Sequence, residues 1–237
     1  MSGSSGRSAK FGVVAAVVTI LGLSPNTSNA ALITTNSLAS PTTVDFSQFV
    51  ASPVISGSGA IQIGGLVGED IEYSGNPDGG LYAFDGSWGL ADNGSWGART
   101  GYIGQNNARP GEMIITFNDG PVSGVGGFMN HCPSGLDCTG AHLVISAFDI
   151  GDVLLESYDI TLLANISTPG GFNEGAFRGI SRANNDIASF HVSGYVPVLD
   201  DLAFSREVTA VPEPTSLALT ALGLLGLASR YHRRRRE

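Results

Sequence analysis

Lysine is almost absent from this chain: Lys10 is the single one among 237 residues, and charged residues of all kinds make up only 14%. Between residues 31 and 210, five arginines (Arg99, Arg109, Arg178, Arg182 and Arg206) stand against nineteen Asp and Glu, a formal charge of −14. A body this acidic repels phosphodiester backbones and anionic lipid, which excludes nucleic-acid binding. Catalytic signatures are missing too: there is no Gly-x-Ser-x-Gly, no His-Glu-x-x-His and no phosphate-cradling glycine loop. The chain is therefore expected not to be an enzyme. A secreted hydrolase stays an alternative, because the carboxylate pair of a glycoside hydrolase is spatial and leaves no local spacing.

Helical periodicity is also lacking between residues 31 and 210. Gly 33 and Pro 11 supply many turn formers, while 42% hydrophobic residues still suffice to fill a core. Short period-2 segments recur instead. Val44 and Phe46, Ile61 and Ile63, and Ile71 and Tyr73 each align on one face, as do Met113, Ile115 and Phe117. The strongest hairpin spans residues 142–163, where two apolar runs flank Asp149-Ile150-Gly151-Asp152 and Gly151 is expected to take the positive φ of the turn. Ala188, Phe190 and Val192 share a face, Pro197 interrupts, and a last strand carries Leu202 and Phe204. This spacing predicts an all-β fold, a jelly-roll-like antiparallel β-sandwich.

The segment from residue 75 to 111 reads as loop or edge-strand material, rich in Gly, Asn and Asp, with Gly-Ser-Trp-Gly occurring at 86–89 and again at 94–97. Both tryptophans, Trp88 and Trp96, lie there, with Tyr102 close by. Rings on loops among amides and carboxylates suit stacking on sugar, so a carbohydrate-binding module is the leading alternative function. The plainer reading is that the rings cover or fill the sandwich. Asp45 in the first strand and Asp200-Asp201 before the last could meet around a structural calcium, if those strands are neighbours. Surface acidity or turn capping is the plainer account of them, and no other cofactor is expected. His142 and His191 fall on expected strands, where an imidazole is usually satisfied or solvent-facing. Asn93-Gly94-Ser95 and Asn165-Ile166-Ser167 match the glycosylation acceptor pattern, which is short enough to arise by chance.

The first thirty residues have three parts: Arg7 and Lys10, an apolar core at 11–23, and a small polar exit ending Ser28-Asn29-Ala30. That is the layout of a secretory signal peptide over 1–30. Cysteine is scarce, with only Cys132 and Cys138, and in an oxidising compartment so close a pair is expected to close a small disulfide loop. His131 beside Cys132 suggests metal, but a zinc site needs a second ligand pair.

The chain closes with "VPEPTSLALTALGLLGLASRYHRRRRE". A rigid polar junction leads into an uncharged segment at 217–229, shorter than the roughly 20 residues of a comfortable span. A basic stop follows, Arg230 with Arg233, Arg234, Arg235 and Arg236, and arginines in that position stay on the cytoplasmic side. Signal segment, body (31–210) and tail (211–237) thus form three units, with helices expected at both ends. Val211, Pro212, Glu213 and Pro214, the apolar segment and the basic end together resemble the PEP-CTERM sorting signal of Gram-negative bacteria that form exopolysaccharide. The same tail is also catalogued as an ice-binding protein C-terminal domain, although the Thr-x-Thr arrays of a flat ice-binding face are lacking here. The resemblance implies an inner-membrane-anchored precursor whose tail is recognised by an exosortase, a membrane cysteine transpeptidase. It further implies a final place at the cell surface or in the extracellular matrix, with a structural or adhesive role and extracellular polysaccharide as a partner.

Overall fold

A computed structural model of the protein describes residues 30–52, 54–56, 59–76, 81–85, 101–105, 111–131, 139–162 and 177–207. The expected signal helix and tail helix, the two tryptophans, the cysteine pair and the sorting residues lie outside them. Among the described residues no helix is long and apolar enough to cross a membrane.

Among the described residues, fourteen strands form two antiparallel sheets. In chain order they are β1 (Ala31–Ile33), β2 (Thr42–Val44), β3 (Val54–Ser56), β4 (Ile61–Gln62), β5 (Ile71–Asn76), β6 (Leu81–Asp85) and β7 (Gly101–Gln105). Then come β8 (Gly111–Phe117), β9 (Gly124–Asn130), β10 (Val144–Phe148), β11 (Leu154–Asp159), β12 (Phe177–Ser181), β13 (Ser189–Gly194) and β14 (Val198–Ser205). One sheet runs β1-β12-β9-β14-β7-β6-β3, with β2 also on β14; the other runs β11-β10-β13-β8-β5-β4.

Alternation explains how the sheets meet. Along β8, Met113, Ile115 and Phe117 are buried while Glu112, Ile114 and Thr116 are half-buried, because successive side chains leave a pleated strand on opposite faces. The buried set joins Ile71, Tyr73, Ile145, Phe190 and Val192 of the same sheet. It packs in one cluster with Val44, Ile103, Val125, Ile180, Leu199, Leu202 and Phe204 of the other. Removing one such side chain from water contributes roughly 1.5–3 kcal/mol, and this shared burial holds the layers together.

Several expectations change. The first expected strand stops at Val44, since Phe46 takes a left-handed backbone (φ 54°) and a 3-10 turn, Ser47–Phe49, follows. Phe46 is buried all the same, but through a turn rather than through a pleat. The span between residues 75 and 111 is not only loop: β7 pairs with β6 on one side and β14 on the other, and Ala83, Tyr102 and Ile103 are buried. The β10–β11 hairpin forms as expected, yet Asp152 and not Gly151 takes the positive φ, at 58°. Asp149 fixes that turn, its Oδ1 accepting from the N–H of Gly151 (2.8 Å) and Val153 (2.9 Å). An Asp tolerates the left-handed region when its neighbourhood supplies such local bonds. His142 precedes β10 instead of lying on a strand.

The register also places the chain ends. Ala31 is partnered by Ser181, Ser181 by Gly124, and Gly124 by Ser205, so all four lie in one cross-strand row. At the usual strand spacing, Ala31 and Ser205 are about 15 Å apart. β1 runs away from this row and β14 runs towards it, so Ala31 and Ser205 lie at the same end of the sandwich.

Candidate functional site

The paired acids come first. Leu202 partners Val44 in the β14–β2 ladder, which brings Asp201 beside Asp45 at the next position. β14 has an irregular register between Asp200 and Ala203, and Asp201 takes φ 48° at the bulge. Its N–H donates to Asp200 Oδ1 (2.8 Å), while Asp45 Oδ1 accepts from Ser47 N–H (3.0 Å). Burial, and then the charge on Asp45, push the Asp201 carboxyl above its ordinary range. A calcium ion takes 6–8 oxygens. Among the described residues no group of three or more His, Cys, Asp or Glu could hold a metal, so this pair brings two carboxylates and no third.

Tyr102 is a correction. It is fully buried, packed with Val196 and Val198, so its ring is closed to a stacking sugar. The reason is packing on that face of β7, where Tyr195, Val196 and Val198 meet the ring.

A cluster that the sequence did not single out lies on the outer face of the second sheet. The ladders put Glu112 opposite Ser193, Ile114 opposite His191 and Thr116 opposite Ser189. On the far side, Ser146 is opposite His191 and Phe148 opposite Ser189. Ser189 Oγ and His191 Nε2 share a hydrogen bond of 3.1 Å. The other ring nitrogen, Nδ1, lies 3.0 Å from Glu112 Oε1. Nδ1 is short of a well-directed hydrogen bond there. Ser193 Oγ donates to the same Glu112 oxygen at 3.0 Å. The imidazole and the Ser193 hydroxyl hold Glu112 below the usual carboxylate range, outweighing its burial. Phe148 lies over the imidazole, ring centroids 4.3 Å apart, and fixes its plane.

Glu112, His191 and Ser189 thus stand in the order of a carboxylate–imidazole–hydroxyl relay. Acyl transfer would also need free N–H donors aimed at a developing oxyanion. β13 is paired with β10 and β8 throughout, so the peptide groups around Ser189 are committed to the ladders. What the cluster offers is fixed hydrogen-bonding groups on a rigid sheet. Alternation put Phe190 and Val192 inside and therefore 189, 191 and 193 outside; the register that lines them up with Glu112 and Thr116 had no sequence signal.

Arg178 is a second feature without a sequence signal. It is buried on β12 opposite Gly127, its Nη1 donating to the carbonyl of Phe177 while Nε has no partner. Burial lowers its pKa, and no carboxylate among the described residues pairs with it.

No curated protein and no solved structure matches the chain. Residues 210–235 match a family model, that of the PEP-CTERM protein-sorting motif. The match covers the Pro-Glu-Pro junction, the apolar segment and most of the basic stop, leaving the β-body unassigned. The chain therefore carries a C-terminal PEP-CTERM sorting motif, the mark of a protein that exosortase, a membrane sorting enzyme, directs to the cell surface.

Proposed function

We propose that the protein is a structural or adhesive component of an extracellular polysaccharide layer, a substrate of its sorting enzyme and not itself an enzyme. The observation that carries this reading is the sorting motif at 210–235. Three others support it. The acidic body avoids nucleic acid and anionic lipid. The two antiparallel sheets fit a jelly-roll-like sandwich, a rigid scaffold with most of its backbone hydrogen bonds internal. Ser205, near the last described residue, and Ala31 lie in one row at one end of the body, a geometry suited to a domain held at the membrane by one end and projecting by the other. On this reading the tail anchors the precursor, its arginines inside the cell, until the exosortase acts near Pro-Glu-Pro.

The test is mass spectrometry of the surface-released protein from a host that has an exosortase and from one in which it is deleted. The expected form starts near Ala31 and lacks Arg230 and Arg233–Arg236, and the deletion strain retains an intact tail in the membrane. Surface protein with its arginines in place overturns the reading. Linkage of Cys132 to Cys138 in the same peptide map is the companion expectation for export.

The alternative, a carbohydrate-binding module, no longer draws on Tyr102. It gains support from the hydroxyl-rich outer face around His191.

A further inference from the structure

Beside the outer-face cluster lies a depression of about 250 Å³, where the 149–152 turn overhangs the sheet. Its lining includes Ile114, Thr116, Asp149, Asp152, Ser189 and His191. Pockets for drug-sized ligands run to about 300–1,000 Å³, so this one suits a single ring. Two kinds of surface meet there. Ile114 and Ile150, the latter 85% exposed, give an apolar wall and lip. Interspersed with them are two hydroxyls, an imidazole edge and two carboxylates, His191 being the cross-strand partner of Ile114 and the carboxylates sharing the turn of Ile150. Among the described residues no arginine or lysine lines it, and Glu112 lies beside His191. Phosphates and uronic acids meet like charge here and are disfavoured.

We propose that this depression binds one neutral sugar ring of a polysaccharide, its C–H face against Ile114 and Ile150 and its hydroxyls bonded to Ser189, Thr116, His191 and the turn carboxylates. The polar groups are set before any ligand arrives. Asp149 is held by the Gly151 and Val153 amides, and His191 by Ser189, by Glu112 and by the ring of Phe148. Groups already fixed lose little conformational freedom on binding, which suits weak, repeated contacts along a polymer. The inference gives a ligand class to the matrix-component reading and rests on it.

Native-gel retardation tests it, using the full chain purified from membranes in detergent. The gels contain dextran, hydroxyethyl cellulose, galactomannan or alginate. At least one neutral polymer is expected to retard the wild type, while polyanionic alginate does not. Thr116→Ala and Ser189→Ala each remove one hydroxyl. Their combination is expected to weaken retardation about tenfold, as loss of one to two net hydrogen bonds implies. Circular dichroism and melting show whether the variants fold. Thr116→Ala alone, at a half-buried outer position, carries the test if Ser189→Ala does not fold. Ile114→Trp, which fills the depression, is expected to abolish retardation. No retardation by any neutral polymer, retardation by alginate alone, or retardation indifferent to all the variants overturns the proposal. Fractionation of cells carrying the variants separates the two claims: they still reach the surface if only sugar binding is wrong, and the wild type fails to reach it if the matrix reading is wrong.

Discussion

Asp201 stands beside Asp45 at the point where the β14–β2 ladder ends, on a residue whose backbone is left-handed at φ 48°. Its raised carboxyl pKa means that the folded state binds this proton more tightly than the unfolded chain does. The cost is absent below the unfolded value, grows as pH rises, and is complete above the raised folded value. Asp201→Asn removes the charge, keeps the local hydrogen-bonding shape and suits the left-handed region. The variant is expected to melt above the wild type at neutral pH in chelator, the gap closing as acid protonates Asp201. Equal midpoints would mean that neither burial nor the charge on Asp45 disfavours the ionised Asp201. Calcium is the companion measurement: a shared ion requires a rise in the wild-type midpoint that the variant lacks, and identical curves with and without chelator remove that expectation.

Glu112 has the opposite sign. Its pKa is lowered by the His191 imidazole and by Ser193, so its contribution to stability is full above the ordinary carboxylate value and is lost as pH falls through the folded value. Glu112→Gln should therefore melt below the wild type near neutral pH and converge with it in acid. A gap that persists unchanged at the lowest pH would assign the loss to packing rather than to charge.

Phe190 is fully buried in the core shared by both sheets. Phe190→Ala is expected to cost about 3–5 kcal/mol in denaturant unfolding, the range for emptying a large core site. A cost below about 1 kcal/mol would show that the sheets are not packed on one core at this point.

Gly126 tests the close approach of β9 and β12. A Cβ there would stand 2.5 Å from the carbonyl oxygen of Arg178 and 2.7 Å from Gly179 Cα, both backbone atoms that cannot swing aside. Gly126→Ala is expected to lose roughly 1–3 kcal/mol by overpacking. A neutral result in the same unfolding assay would place the strands farther apart.

Arg178 carries a buried charge with no acidic partner among the described residues. A charge buried without a carboxylate bears a desolvation cost that an apolar side chain of similar length does not. Arg178→Met is accordingly expected to raise the melting midpoint. A fall would show that the guanidinium is held by an interaction stronger than its desolvation.

Much of the fold was legible because a strand writes its two faces directly into the sequence. Met113, Ile115 and Phe117 identified the inner face of β8, and Phe190 with Val192 that of β13, from alternation alone. Where backbone conformation intervened, alternation misled. Phe46 kept its buried place but left the strand through a left-handed turn, and Asp152 took the positive φ expected of Gly151. Tyr102 was misread because Gly and Asn around it suggested loop, whereas its burial comes from Tyr195, Val196 and Val198, far away in the sequence.

By itself the sequence determined the sorting motif, because that signal is a linear order of junction, apolar segment and arginines that needs no partner to be read. It also determined the β class and the acidic character of the body. Only the tertiary structure decided that Glu112, His191 and Ser189 line up, that Asp45 meets Asp201, and that Ala31 and Ser205 share one end. Those outcomes depend on strand order and register, which are set by packing between residues far apart in the chain, so no local pattern could carry them.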